Sequence, residues 1–312
     1  MSRQRVVFGL WDMEQVSLNV QCIAERTPVG LRVKSVQLTS GEIRFVDEGI
    51  GPTVCLLHGA PMTSLAFVRL IRELRKSYRV IAPDLPGFGA SIATPSFGAT
   101  LDAYSDFVAD FCRVLQLHRF YVYVNDSSAC IAFPALAKLG DNIAGIVIAD
   151  TVPLPMTGQF ICVKWALRYI VSSAPVRWLN RRVNLFPWLV VSVAPLLNPF
   201  PPAERTELVA QFDTEAKRDR LLEIFHQMGS DDQFIRKSAA AMRELASRPV
   251  LLLFGQFDPM RILGGVERFK SVFPKHSVRI IPFEEHFPIL ASGARVARVL
   301  DDWIKVVEGQ NA

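Results

Sequence analysis

Apolar residues in this chain come in short runs separated by polar turns, and their spacing changes twice along its length. From Val36 to Asp150 the runs are strand-sized. Val36 to Val46 reads as a hairpin turning at Thr39-Ser40-Gly41. Thr53 to Gly59 (TVCLLHG) and the start of Tyr78 to Ser91 (YRVIAPDLPGFGAS) read as buried strands, and Leu115 to Asn125 (LQLHRFYVYVN) ends in alternating β-branched and aromatic residues. Ser127 to Leu139 (SSACIAFPALAKL) is small and apolar at helical spacing, and Ile143 to Asp150 (IAGIVIAD) is again a buried strand. Strand signals then stop. Thr151 to Arg248 shows helix-like patterns, among them Pro202 to Met228 with its frequent acid and base pairs. Pro249 to Pro259 (PVLLLFGQFDP) and Val278 to Leu290 (VRIIPFEEHFPIL) restore the strand pattern. Strands alternating with helices predict a mostly parallel central sheet flanked by helices, an α/β fold with a helical insertion. The expected division is an N-terminal extension over residues 1–34, a core from 35–150 and 248–312, and a helical cap over 151–247.

Between the strand ending at Asn125 and the helix starting at Ser127 there is room only for a sharp turn, and Asp126 occupies it. A strand, a tight turn and a helix packed back on the sheet present a nucleophile at the sheet's edge, with small residues around it so that helix and strand can approach. Val124-Asn125-Asp126-Ser127-Ser128, with Ala129 following, meets that need, although Val124 stands where glycine is commoner. Taken alone, the same residues also suit an aspartate that merely caps a helix. A register one residue later would present Ser127 as a serine nucleophile.

His58-Gly59-Ala60-Pro61, PDLPGFGAS, GQFDP and EEHFP accompany that turn in a fixed order. Together these motifs resemble the α/β-hydrolase superfamily, specifically its epoxide hydrolase and haloalkane dehalogenase branches, over about residues 35 to 150 and 248 to 308. The resemblance implies the α/β-hydrolase fold with an inserted helical cap. Its usual spacing, counted back from Ile143, lands on Asp126 and not on Ser127. Its chain order of nucleophile, acid and histidine points to Asp126, Asp258 and His286. Asp150 is the alternative acid, and Asp258-Pro259 would also serve as an ordinary turn. Of the five histidines, His58 belongs to the turn after the first strand, and His118, His226 and His276 lie outside any motif. The resemblance also implies an oxyanion hole built from the backbone N–H groups of Ala60 and Ser127.

A carboxylate nucleophile suits attack on an sp³ carbon that bears a leaving group. The alkyl ester so formed would be hydrolysed by water activated by His286, with Asp258 orienting the imidazole. Dehalogenases of the family hold the departing halide with a tryptophan directly after the nucleophile and often an asparagine after the His-Gly pair. This chain has Ser127 and Ala60 at those places. Epoxide hydrolases use cap tyrosines, and Tyr169 stands about where the first is expected, whereas the second position reads Gln233-Phe234-Ile235-Arg236. An epoxide or related lipophilic small molecule is the first expectation, with haloalkane, lactone and ester cleavage as alternatives. A non-catalytic small-ligand binding protein is the reading from a different class. Tyr169, Trp165 and Trp188 are the expected substrate contacts in the cap. Glu285 replaces the glycine that commonly precedes the histidine, and its side chain is expected to point to solvent.

Composition adjusts this picture only at its edges. Half of the 312 residues are apolar, enough for a sizeable core. Phe186 to Phe200 (FPWLVVSVAPLLNPF) is interrupted by Pro187 and Pro195 and falls short of the about 20 residues a spanning helix needs. It is expected to line the cap's pocket, with peripheral membrane contact by an apolar lip as the alternative. The net charge of +5 is scattered, which argues against a nucleic-acid partner. A lipophilic substrate and water are the expected partners of a monomer or homodimer. Residues 1–32 lack an apolar leader, so a cytoplasmic location is expected. Cys22, Cys55, Cys112, Cys130 and Cys162 are dispersed and read as reduced core thiols, and neither metal nor cofactor is expected.

Overall fold

Parallel strands buried on both faces need nearly continuous apolar sequence, and the centre of the sheet has it. The computed structural model describes residues 20–21, 30–171, 173–193 and 202–311. Its strands are β1 (Val20–Gln21), β2 (Val33–Leu38), β3 (Gly41–Glu48), β4 (Thr53–Leu57), β5 (Arg79–Pro83), β6 (Ile92–Ala93), β7 (Phe120–Asn125), β8 (Ile143–Ala149), β9 (Val250–Gly255) and β10 (His276–Ile281). They lie in the order β1-β2-β3-β5-β4-β7-β8-β9-β10, with β6 paired to β3. The pairings β1–β2, β2–β3 and β3–β5 are antiparallel, and every pairing from β5 across to β10 is parallel. All six residues of β7 and of β9 are buried.

The helices are α1 (Val68–Leu74), α2 (Leu101–Val114), α3 (Ser127–Leu139), α4 (Ile161–Trp165), α5 (Ala174–Val183), α6 (Leu185–Val193), α7 (Pro202–Ala210), α8 (Glu215–Ser230), α9 (Asp232–Glu244), α10 (Pro259–Ile262), α11 (Gly265–Val272) and α12 (Pro288–Asn311). Alternation along the strands sorts the core into two layers. Val122, Val124, Ile146, Ile148, Leu252 and Phe254 pack with α2 and α3. Tyr121, Tyr123, Val147, Ala149, Leu251 and Leu253 pack with α1 and α12 on the other face.

Helices α4 to α9 are inserted between β8 and β9, and a π-helical turn, Ala166–Val171, prolongs α4. The helix-like stretch from Pro202 to Met228 forms two helices, α7 and α8. Phe212 turns inward at the break, only 1% exposed and edge-on to Phe88, and Thr214 restarts the chain by accepting the Lys217 N–H at 3.3 Å. A bulky apolar side chain that must reach the core outweighs the local helical pattern here.

In the N-terminal extension, Val20 and Gln21 add an edge strand opposite Val36 and Ser35. Cys55, Cys112 and Cys130 are buried. Cys162 is exposed at the outer surface of α4, which corrects its assignment to the core, and Cys22 lies outside the described residues. No helix among the described residues is long and apolar enough to cross a membrane.

Candidate active site

The carboxyl ends of β7, β8, β9 and β10 lead into Asp126, Asp150, Asp258 and His286, the rim at which open parallel sheets carry their ligands. Asp126 has φ +47° and ψ −129°, a strained conformation for a residue with a Cβ. Ser127 begins α3 and is fully buried, so the residue presented at the turn is Asp126 and not Ser127.

Several neighbours hold the strained turn. Ser128 Oγ accepts the Asn125 N–H at 3.0 Å and lies 2.8 Å from both the Leu57 and Asn125 carbonyls. The Asp126 N–H donates to the Asp150 carbonyl at 3.3 Å, and the Thr151 hydroxyl donates to the Asp126 carbonyl at 2.8 Å. Gly59 supplies the room, because a Cβ there would stand 2.7 Å from the Asp126 Cβ. The Gly59 contact follows from the His-Gly motif. The Ser128 and Thr151 hydroxyl contacts have no periodic signature and escape sequence reasoning.

His286 faces Asp126 from the loop after β10. Its Nε2 is 3.7 Å from Asp126 Oδ1, and its Nδ1 is 2.7 Å from Asp258 Oδ2. Asp258 is fully buried, and its Oδ1 also accepts the Met260 and Arg261 N–H groups at the start of α10. Burial alone would push the Asp258 carboxyl up, but the His286 charge and these donors hold it below the usual carboxylate range. For His286 burial works against the charged ring. The carboxylates of Asp258 and Asp126 outweigh it and raise the imidazole well above the ordinary histidine value.

Asp150, the alternative acid, is not the partner of the histidine. Its Oδ1 accepts the Gly255 N–H at 3.0 Å, and burial followed by the nearby Asp258 charge raises its carboxyl well above the usual range. His58 is structural. Its Nε2 accepts the Leu85 N–H at 3.0 Å, which leaves Nδ1–H to face the Gly59 carbonyl at 3.1 Å and ties the turns after β4 and β5 together.

The expected oxyanion hole is altered by the residue after the nucleophile. The Ala60 N–H donates to Ser127 Oγ at 2.8 Å and is therefore not free to face the site, and Asp126 Oδ2 is buried without a hydrogen-bond partner among the described residues. A small hydroxyl side chain at 127 can turn back on Ala60 in this way. The cap contacts also differ from expectation. Trp165, Tyr169 and Trp188 are each more than half exposed. Trp165 and Tyr169 lie against one another with ring centroids 4.7 Å apart and planes tilted by 48°, and Arg168 stands over the Tyr169 ring. Amphipathic spacing in the cap turned these rings outward, where no hydrogen bond or ring contact among the described residues links them to Asp126 or His286. Phe186 does pack inward on Phe225, and Val191 is buried, while residues 194–200 of that apolar stretch lie outside the described residues. No group of three or more His, Cys, Asp or Glu among the described residues is placed to hold a metal ion.

A strand-ordered sheet with an inserted helical cap, an aspartate at a strained strand-to-helix turn and a histidine behind it define a class of protein. The family model for the alpha/beta hydrolase fold matches residues 52–291, and the chain belongs to that family. Among curated relatives, haloalkane dehalogenase 2 of Mycobacterium tuberculosis is 27% identical over 252 residues, spanning 79% of this chain and 86% of the relative. A haloalkane dehalogenase of Mycobacterium marinum is 29% identical over 234 residues, 72% of this chain and 75% of its own. Among solved structures, a loop variant of a haloalkane dehalogenase from Bradyrhizobium elkanii superposes with a TM-score of 0.80 at 18% identity, over 90% of this chain and 99% of that one. A thermophilic esterase from Thermogutta terrifontis superposes with a TM-score of 0.71 at 25% identity, over 88% of this chain and 98% of that one. The chain is therefore an α/β-fold hydrolase.

Proposed function

We propose that this hydrolase displaces a leaving group from the sp³ carbon of a lipophilic small molecule through an alkyl ester on Asp126, and that the leaving group is a halide. The observation that carries the reading is the placement of Asp126 at the strained turn, 3.7 Å from a histidine whose far nitrogen is held by buried Asp258. The dehalogenase relatives favour the halide over an epoxide oxygen. The exposure of Tyr169 points the same way, since an opening epoxide needs an acid at the reacting oxygen.

In the first step an Asp126 carboxylate oxygen attacks carbon, the new C–O bond forms and the halide leaves with the electron pair. Loss of the Asp126 charge removes one of the two carboxylates that hold the proton on His286. The imidazole then gives up its proton and can take one from water, which attacks the ester carbonyl carbon. Collapse of that adduct breaks the acyl C–O bond, and the departing alkoxide takes the proton from His286 as alcohol. Asp258 steadies the imidazolium throughout. The halide has neither of the family's usual partners here. Ser127 Oγ accepts from Ala60 and no acceptor among the described residues takes its own proton, so that hydroxyl is assigned to the leaving anion.

Replacing His286 with glutamine should stall the second step. The variant would be incubated with haloalkanes, epoxides and activated esters and followed by intact mass and peptide mapping. A haloalkane adduct on Asp126 is the expected result, and an epoxide adduct there would keep the chemistry and change the leaving group. An ester adduct on Ser127 would favour the serine-type reading that the esterase neighbour supports. Saturable binding without any adduct would move the protein to the binding class.

A further inference from the structure

Asp150 does more than end a strand. Its backbone carbonyl accepts the N–H of Asp126, and its Oδ1 accepts the N–H of Gly255, the last residue of β9. Gly255 is a crossroads. Its carbonyl accepts the Asp258 N–H at 3.2 Å, and a Cβ on it would stand 2.1 Å from the Glu285 carbonyl oxygen, so the loop carrying His286 lies directly against it. Asp150 thus touches Asp126 directly and, through Gly255, reaches the segments that carry Asp258 and His286.

The Oδ2 atom of Asp150 is buried, and among the described residues no donor points at it. The Asp258 carboxyl lies within hydrogen-bonding reach of the Asp150 side chain. Two carboxyl groups can bond to one another only if one of them carries a proton. Asp258 already receives His286 Nδ1 and the Met260 and Arg261 N–H groups, whereas Asp150 receives a single amide. The proton therefore belongs on Asp150.

We propose that Asp150 is a positioning residue that donates its carboxyl proton from Oδ2 to the Asp258 carboxylate while Oδ1 holds the Gly255 amide, bracing from behind the acid that orients His286. The other titratable groups facing it are His286, beyond Asp258, and the Tyr123 phenol on β7, which is itself buried and pushed up by burial and by Asp150. A neutral Asp150 adds no charge to the histidine, and Asp258 and Asp126 are the carboxylates that raise its affinity for a proton. The kinetic consequence rests on the proposed two-step hydrolysis, but the titration of His286 does not, and the two can fail separately.

The test compares Asp150→Asn with Asp150→Leu by NMR titration of the His286 ring in the substrate-free protein. Asparagine keeps both an acceptor for Gly255 and a donor for Asp258. Its His286 midpoint should match wild type within about 0.3 pH units, an expectation that follows from the absence of any charge change. A midpoint lowered by a full unit or more would show that Asp150 was an anion and would overturn the proposal. Leucine removes the donor, leaves Asp258 more basic and should raise the midpoint. An unraised midpoint in a folded leucine variant would also overturn it. Should the leucine variant not fold, the asparagine titration decides alone. In turnover, a slowed hydrolysis step in the leucine variant that the asparagine variant restores is expected, with ester formation unchanged in both.

Discussion

Replacing Asp126 with asparagine should make His286 easier to deprotonate. Asparagine is nearly isosteric with aspartate and carries no charge, so it stands in electrostatically for the alkyl ester that the reaction would form. The imidazole Nε2 is 3.7 Å from Asp126 Oδ1, and the two side chains are 17% and 18% exposed. Unit charges about 4 Å apart interact by about 1 kcal/mol in bulk water and about 4 kcal/mol at the effective dielectric near a protein surface. At 1.36 kcal/mol per pH unit this lowers the His286 midpoint by about 0.7 to 3 units. Partial exposure places the expectation toward the middle of that range. The sign is fixed by the cause: two carboxylates raise the imidazole above its ordinary value, and removing one lets it fall. The assay is a ring-proton and ring-nitrogen NMR titration, with His58 as an internal reference because burial keeps it on the neutral side. A midpoint within about 0.3 units of wild type, or higher, would refute the view that loss of the Asp126 charge releases the base.

Multiple turnovers in heavy-oxygen water should leave the label in the Asp126 peptide, because water attacks the ester carbonyl and the alcohol departs with an aspartate oxygen. Label found only in the product would sink the ester pathway. Ser127→Ala should slow ester formation about 100-fold, the usual cost of losing one donor to a developing anion, and an unchanged rate would remove Ser127 from the leaving-group site. Gly59→Ala forces a Cβ to 2.7 Å from the Asp126 Cβ, and should cost about 1–3 kcal/mol in chemical denaturation along with most of the activity. The exposed rings of Trp165, Trp178 and Trp188 stand in residues 161–193, a stretch with five basic residues and no acidic one. Tryptophan emission should shift to the blue with vesicles containing phosphatidylglycerol, and its failure to move would leave the cap rim a solvent surface.

What could be read from the sequence was whatever depends on backbone geometry. A sharp turn between β7 and α3 requires small neighbours, and Ser127, Ser128 and Ala129 supply them in consecutive positions. The strands that lead to Asp126 and Asp258 are buried and largely apolar, so their ends are visible in the sequence, whereas the strand before His286 carries His276, Ser277 and Arg279. Side-chain direction was not visible. Whether Ser127 leaves the Ala60 amide open or turns back to accept it depends on one rotamer and on a contact between residues 67 apart in the chain. The cap is open for a related reason. Ile161, Trp165 and Tyr169 recur every fourth residue and share one face, and all three are exposed while the segment packs on α8. Periodicity defines a face and leaves open which neighbour covers it.

The two half-reactions place opposite demands on His286. Ester formation needs Asp126 ionised, and an ionised Asp126 beside ionised Asp258 keeps a proton on the imidazole. Hydrolysis needs that proton gone. A histidine tuned once, by its surroundings alone, would serve one step at the expense of the other. With the nucleophile itself supplying one of the two holding charges, the tuning changes when the bond forms: alkylation cancels the charge, and the base appears only once there is an ester to hydrolyse. Such a device works only if no third anion holds the proton in place. Asp150, fully buried against Asp258, is positioned to spoil it. Its neutrality is therefore a condition for turnover, which is why the titration of His286 in Asp126→Asn and in Asp150→Asn should give opposite answers, a clear fall in the first and no change in the second.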